Sequence, residues 1–535
     1  NDKYYCSIID HVGHRDDPDL EIKTIASNMG FENSFPKDVI DEINRIPTDV
    51  REEDIKNRLD LRNEIIFTID GKDTKDMDDA VSITKDKDNN YILGVHIADV
   101  SHYIKPNMNS FKEALKRGTS CYPAGYVIPM FMHILSNGIC SLNPNVDRLT
   151  LSIIMQIDKN GKVLNYNIKE SVINSKKKMN YDDVNKILMN NEIVPGYEEF
   201  IPSLKLMEEL HKILDKNKKE HGYLNFGDHD IKIKYDNNGN VSSIKLLIRG
   251  ISEKMIEDFM LKSNESVATF ARSLKLLFNY RVHPSPNPEL IKEKIDYINS
   301  LGFNIKLPKN LSSPFAIQNI MHQIENSPMY EVLCEILLQG MPRAYYSTEN
   351  IGHFGLGINA NKNEAYCHFT SPIRRVMDLI VHMIIKEIIS DEKYFDKNCF
   401  EEFIKEACSW ASYRQKLADK IEQECAGYRT AQYMQNHIGE TFNGKICYIS
   451  KKSLWIKTEE NVMANIKLKD LDKNCKFDSK TCSFVLNNEI YTIGDIIPVI
   501  ATNVNLDTRK VDFKYKKEVN ENTVIGHMTR IRKVR

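Results

Sequence analysis

Five aspartates fall within ten positions of this sequence, at Asp70, Asp73, Asp76, Asp78 and Asp79. Carboxylates this close repel one another, and a folded chain keeps them together most readily when cations neutralise them. The runs on either side are β-prone, with Ile65, Ile66, Phe67 and Ile69 before the cluster and Ala80, Val81 and Ile83 after it. The aspartates are therefore expected on a connection between two strands. Hard oxygen donors select Mg2+ or Mn2+. Two plainer readings compete with a metal site. A run of charge is ordinarily a solvated loop. A calcium loop is the other, but it needs its glycine later than here, where Gly71 directly follows Asp70.

The rest of the chain sets the frame. Its 535 residues are enough for about two to four domains. Residues 1–15 read as the last strand of something otherwise missing, and the chain begins at Asn1 rather than Met, which suggests that residues before it are absent. Residues 16–60 are charged and helix-prone, with Ile40, Ile43 and Ile46 at helical spacing, and are expected to be a linker outside any core. Strands are expected at Tyr91–Ala98, 149–157 and 163–174, and a hairpin within 226–248 with an Asn-Gly turn at 238–239. Amphipathic spacing predicts helices around 204–214, 256–271, 373–390 and 401–435. About five short strands over 440–516 suggest a small OB-type barrel.

Bulk properties narrow the function class. The net charge is -2 and the sequence pI about 6.8, so a uniformly basic nucleic-acid binder is excluded. A basic channel offset by acidic surface is not, because binding follows the local field. The 11 cysteines include no CxxC pair, and the odd count fits a reducing cytoplasm. No apolar run is long enough to span a bilayer, and no signal peptide is visible.

Several ordered stretches carry a family resemblance. Residues 68–83 read T-I-D-G-K-D-T-K-D-M-D-D-A-V-S-I, and 94–104 G-V-H-I-A-D-V-S-H-Y-I. C-Y-P-A-G-Y-V-I-P-M and L-S-N-G-I-C-S-L-N-P-N-V-D-R-L follow within 121–149. H-F-G-L-G occupies 353–357 and H-F-T-S-P-I-R-R-V-M-D-L-I-V-H occupies 368–382. Together they resemble the ribonuclease II/ribonuclease R family. M-Q-N-H-I-G at 434–439 favours the ribonuclease R branch. The resemblance implies an α+β, multidomain chain, with a mixed α/β RNB catalytic domain and flanking small OB-type barrels. The implied layout is the end of a cold-shock-like barrel (1–15), a helical linker (16–60), the RNB domain (61–400), a long connecting helix (401–438), an S1-type barrel (439–516) and a basic tail (517–535).

The implied activity is processive 3′→5′ hydrolysis of single-stranded RNA, or RNA with a 3′ overhang, to nucleoside 5′-monophosphates. It would be carried out by a cytoplasmic, monomeric enzyme with Mg2+, for which Mn2+ substitutes. The family aspartates fall on Asp70, Asp76, Asp78 and Asp79 as the metal site, with Asp78 most tied to catalysis and Asp73 a bystander. Arg374 matches the family arginine, and a guanidinium offers paired donors to phosphate oxygens. Arg375 holds a neighbouring phosphate or simply an acidic partner. Tyr122 matches a tyrosine near the terminal nucleotide, Phe226 a base-stacking aromatic, and Glu422 a glutamate near the site.

Some positions depart from the family pattern. Val376 replaces a tyrosine, Gly427 and Tyr428 replace an aspartate and a tryptophan, and Leu454-Trp455-Ile456 stands where a glycine-containing aromatic strand is usual. His96, Asp99 and His102 have metal-like identity, but V-H-I-A-D-V alternates like a strand, which favours structural histidines. Lys176–Lys178 and Lys216–Lys219 either touch phosphates or end helices in solvent. Competing functions are an RNA-binding protein with an inactive nuclease domain, a ribonuclease II-type enzyme limited to unstructured RNA, and a nuclease acting on DNA.

Overall fold

The computed structural model describes residues 11–516, apart from 228–230, 237–238, 328, 391, 397, 472–474, 479–482 and 487–488. The expected cold-shock strand lies almost wholly outside the described residues, as does the basic tail.

The expected strand–aspartate–strand unit lies in a seven-stranded mixed sheet. Its strands are β1 (Leu59–Asp60), β2 (Phe67–Asp70), β3 (Asp79–Lys85), β4 (Tyr91–Ala98), β5 (Asp147–Ile157), β6 (Val163–Asn174) and β7 (Lys177–Asn180), in the order β1-β6-β5-β4-β3-β2-β7. The middle strands are buried along nearly their whole length, which is why they read as continuous apolar runs. Helices Tyr181–Asn190, Ile201–Glu220, Ile251–Ser273 and Val376–Ile389 share one hydrophobic core with the sheet. The first three lay one apolar face against the sheet core, whereas the last is buried all round from Val376 to Lys386.

A polar ladder crosses the sheet interior. His96 is buried between Ser82 (Nε2–Oγ 3.0 Å) and Ser152 (Nδ1–Oγ 2.7 Å). Gly94 leaves room for it, since a Cβ there would lie 2.8 Å from His96 Nε2. His96 is thus structural. Asp99 is buried in a four-charge network. Lys386 Nζ lies 2.9 Å from Asp99 and 2.8 Å from Glu170, and Arg58 Nη2 lies 2.7 Å and 3.1 Å from the same two carboxylates. Burial would raise the Asp99 carboxyl, but Lys386 and Arg58 hold it well below the usual range. The His102 N–H donates to Asp99 at 3.1 Å, and its ring bridges Arg58 and Asp54 at 3.3 and 3.0 Å. Asp99 and His102 thus tie the sheet to the preceding segment, and Asp99 ties it to the Val376–Ile389 helix.

One expectation is corrected and one group of helices is new. Residues 16–60 form helices at Leu20–Asn28, Lys37–Ile43 and Glu52–Ile55, but they are more than a linker, because Val39 and Ile43 are buried in the sheet's own core. The apolar face of a short helix buries against whatever lies nearest, even when charge dominates its composition. Helices Pro288–Ser300, Pro314–Ile324 and Tyr330–Leu338 were not singled out from sequence. They bury Ile291, Ile295, Ile317 and Leu333 in one core with Ile446, Leu454 and Ile456 of the carboxy-terminal sheet.

That sheet is five-stranded and antiparallel, ordered Met463–Lys467, Ser453–Lys457, Thr441–Ile449, Ile496–Asn505, Lys510–Tyr515. Its two edge strands approach each other, giving the expected OB-type barrel. A separate three-stranded sheet (Lys476–Asp478, Ser483–Leu486, Glu489–Tyr491) is inserted before its fourth strand in the chain. The 36-residue helix Phe400–Gln435 joins the two halves.

Candidate active site

Asp70 closes β2 and Asp79 opens β3, so the cluster occupies the turn between two neighbouring strands. This turn has no ladder of its own and is held from outside. Asp78 is 4% exposed. Its carbonyl accepts the Ala98 N–H at 2.9 Å, and its Oδ1 accepts the Ile373 N–H at 2.8 Å. Arg374 Nε lies 3.7 Å from Asp78 Oδ2, and Arg374 Nη2 donates to Ser371 Oγ at 3.0 Å. About 300 residues of sequence separate these partners.

Tyr122 joins a third segment. The Ser120 N–H donates to the Arg374 carbonyl at 2.9 Å, which stitches residues 119–121 to the arginine's own backbone. The Tyr122 hydroxyl donates to Asp76 Oδ2 at 2.9 Å, and its N–H to Glu422 Oε1 at 2.8 Å. Asp70, Asp76, Asp78, Asp79, Tyr122, Arg374 and Glu422 are thus brought to one place from four stretches of chain.

The other candidates lie differently. Asp73 is exposed. Arg375 is half-buried and makes a two-pronged pair with Asp378 (Nε–Oδ1 2.9 Å, Nη2–Oδ2 2.7 Å), which matches the acidic-partner reading. Phe226 is half-buried against the second core, two residues after Leu224, whose N–H donates to the Gly355 carbonyl at 2.9 Å. A cavity of about 650 Å3 lies away from the aspartates, between the β5–β6 turn and the Ile201–Glu220 and Ile251–Ser273 helices.

The electrostatics are those of an uncompensated acidic cluster. Burial, then the charge of Asp79, pushes the Asp70 carboxyl up to about 8, and burial pushes Asp79 up to about 6 against the pull of Arg374. Burial also raises Asp78, with Arg374 opposing, and raises Glu422 and the Tyr122 phenol. One carboxylate oxygen, Asp70 Oδ2, is buried with no hydrogen-bond partner. Among the described residues no three carboxylate, imidazole or thiol groups close on one point as a ready-made cage. The donor set nevertheless fits a hard divalent cation. It is all oxygen, partly orphaned and short of positive charge.

Sequence reasoning missed Tyr181. β7 runs parallel to β2 with Asn180 opposite Asp70, so the next residue starts a helix beside the cluster. Burial, then the charges of Asp79 and Asp70, raises its phenol. Its signal was the Asn180 N-cap, whose side chain accepts the Asp183 N–H.

Residues 58–391 match the RNB domain family. Ribonuclease R of Thermotoga maritima is 36% identical over 525 residues, covering 96% of this chain and 73% of that one. The chain belongs to the ribonuclease R family. Ribonuclease R 1 of Lactococcus lactis subsp. lactis is 38% identical over 512 residues, 94% of this chain, and this chain spans 62% of its length. Among solved structures, Mycoplasma genitalium RNase R in complex with ribose-methylated single-stranded RNA superposes with a TM-score of 0.85 at 27% identity, covering 94% of this chain and 79% of that one. The RNB match contains every candidate site residue named above except Glu422, which reaches the cluster from the long helix.

Proposed function

We propose that this chain is a processive 3′→5′ exoribonuclease that hydrolyses single-stranded RNA to nucleoside 5′-monophosphates with Mg2+ or Mn2+. The observation that carries this reading is the under-neutralised aspartate cluster around buried Asp78, with Arg374 beside it. When bound, a divalent cation would activate water and neutralise charge on the phosphate. Asp70, Asp76, Asp78 and Asp79 would hold it. Arg374 sits where its guanidinium can donate to a phosphate oxygen as negative charge builds, while the P–O3′ bond breaks and water's oxygen bonds to phosphorus. Asp78, fixed by the Ile373 N–H, keeps the carboxylate and the arginine in one geometry. Tyr122 links Asp76 to Glu422 and lies 36% exposed, open to a terminal nucleotide.

An S1-type role in strand binding for the barrel, with Trp455 and Tyr448 partly exposed on paired strands, belongs to the same reading. So do a preference for 3′ overhangs and a monomeric state. The cysteines of the described residues are free, and most are buried, which suits a reducing cytoplasm. Among the described residues no helix is long and apolar enough to cross a membrane.

Polarity tests the reading. A 5′-labelled RNA with a 3′ overhang should keep its label until only very short products remain, and blocking the 3′ end should stop digestion. Cleavage of a circular RNA, or a wild-type protein releasing no monophosphates, would sink it.

A second expectation concerns pH. Without cation, folded Asp70 and Asp79 keep protons that the unfolded chain, with carboxyls near 3.8, has already lost. Their contribution to stability therefore falls as pH rises from about 4 to about 8, and a cation that replaces those protons reverses the loss. The rise in melting temperature on adding Mg2+ should grow between about pH 6 and about pH 8. A pH-independent rise would mean that these carboxyls are not the ligands.

A further inference from the structure

The basic run Lys176–Lys178 is neither a solvated helix end nor an open phosphate cradle. Lys176 Nζ donates to the Arg62 carbonyl at 2.6 Å, and the Lys177 ammonium lies 4.6 Å from the Tyr197 ring centroid. Lys178 Nζ donates to the carbonyl of Thr74 and, at 3.3 Å, to that of Lys72. Both carbonyls belong to the turn between Asp70 and Asp76. In the sheet, Lys178 stands opposite Thr68, two residues before Asp70, so its side chain reaches along the aspartate turn from the neighbouring strand.

The other half of the turn is held by Ser141, which is fully buried. Its Oγ donates to the Lys75 carbonyl at 2.8 Å and accepts the Met77 N–H at 3.1 Å, bracketing Asp76. A turn without a ladder must satisfy its backbone groups from outside. Here two side chains, neither of them an aspartate ligand, meet four of those groups.

We propose that Lys178 is a positioning residue for the reaction at the aspartates. Its ammonium fixes the Lys72–Thr74 half of the turn, Ser141 fixes the Lys75–Met77 half, and together they set Asp70 and Asp76 in register for a divalent cation. The inference rests on the metal-dependent reading above. Lys178 hydrogen-bonds only backbone, and its charge also pulls the Asp70 carboxyl down, so shape and charge both reach the site.

Charge and shape predict opposite signs, which makes the idea testable. An ammonium near a cation site repels the cation, so removing its charge alone would tighten cation binding. Loss of the turn's shape would weaken it. For Lys178→Met we expect Mn2+ affinity, followed by electron paramagnetic resonance of free Mn2+, to fall about 10-fold, with a similar fall in kcat. RNA affinity should stay near the wild-type value. Lys178→Arg, which keeps donors for both carbonyls, should recover most of both losses, and Ser141→Ala should weaken Mn2+ binding in the same direction. Should the methionine variant not fold, Lys178→Gln makes the same comparison. Unchanged or tighter Mn2+ binding in the lysine variants, with wild-type kcat, overturns the inference alone. A wild-type protein that binds no Mn2+ and releases no monophosphates overturns the nuclease reading and this inference with it.

Discussion

Asp78→Asn is expected to keep RNA binding and lose cation-dependent release of nucleoside monophosphates by about 10^3-fold or more, ~4 kcal/mol of transition-state stabilisation. The change is nearly isosteric, and the Ile373 N–H can still donate to the amide oxygen, so the fold around it should persist. What disappears is a buried negative charge that balances Arg374 and contributes to the cation site. Removing negative charge from a surface that receives phosphates should leave RNA affinity equal or tighter. Equilibrium binding of a 3′-overhang RNA and single-turnover release from it separate the two effects. If the variant retains near wild-type cleavage, Asp78 has no part in the chemistry. If RNA affinity collapses with activity, the aspartate serves binding.

Arg374→Ala should cost about 10^2–10^3-fold in kcat, the scale seen when one donor to a developing oxyanion is removed. KM should change less, because the interaction is strongest when charge has built on the phosphate. A second readout follows from the field at the site. Arg374 opposes the rise of the Asp78 and Asp79 carboxyls, so without it both hold protons to higher pH. The activity profile should therefore move to the alkaline side. Arg374→Lys restores the charge but not the planar fork, so it should recover the pH profile more fully than kcat. A variant that loses kcat with no alkaline movement would point to positioning through the side-chain contact with Ser371 instead.

How much of this was legible in the sequence depended on the kind of signal. Strands β2 to β5 announced themselves through apolar runs, and the helices around 204–214, 256–271, 373–390 and 401–435 through helical spacing, while Tyr181–Asn190 did not. The Asp78–Arg374 contact was not readable from periodicity, because about 300 residues intervene. It came from ordered motifs, and the Ile373–Asp78 hydrogen bond is its physical basis. The helices over 288–338 carry helical spacing too, as at Ile291, Ile295 and Ile298, but no local pattern tells which core they join. Lys178 and Arg375 looked like candidate phosphate ligands, since a charged side chain reads the same whether its partner is RNA, a carbonyl or Asp378. Only the three-dimensional partner distinguishes them.

The long helix Phe400–Gln435 has a further consequence. Over about 54 Å it contributes Ile404, Ala407, Cys408 and Ala411 to the sheet's core, Ala418, Ile421 and Cys425 to a third cluster with Ile22 and Phe31, and Met434 to the core shared with the barrel. Glu422 sits within the second of these contacts, between Ile421 and Cys425. A rod gripped at three points behaves like a shaft with keyed wheels. Adding or removing one residue between Cys425 and Met434 would turn the barrel by about 100° relative to the catalytic sheet and slide it about 1.5 Å along the axis. Substitutions along this stretch can accumulate, as Gly427 and Tyr428 show, but its length is locked in phase with the aspartates.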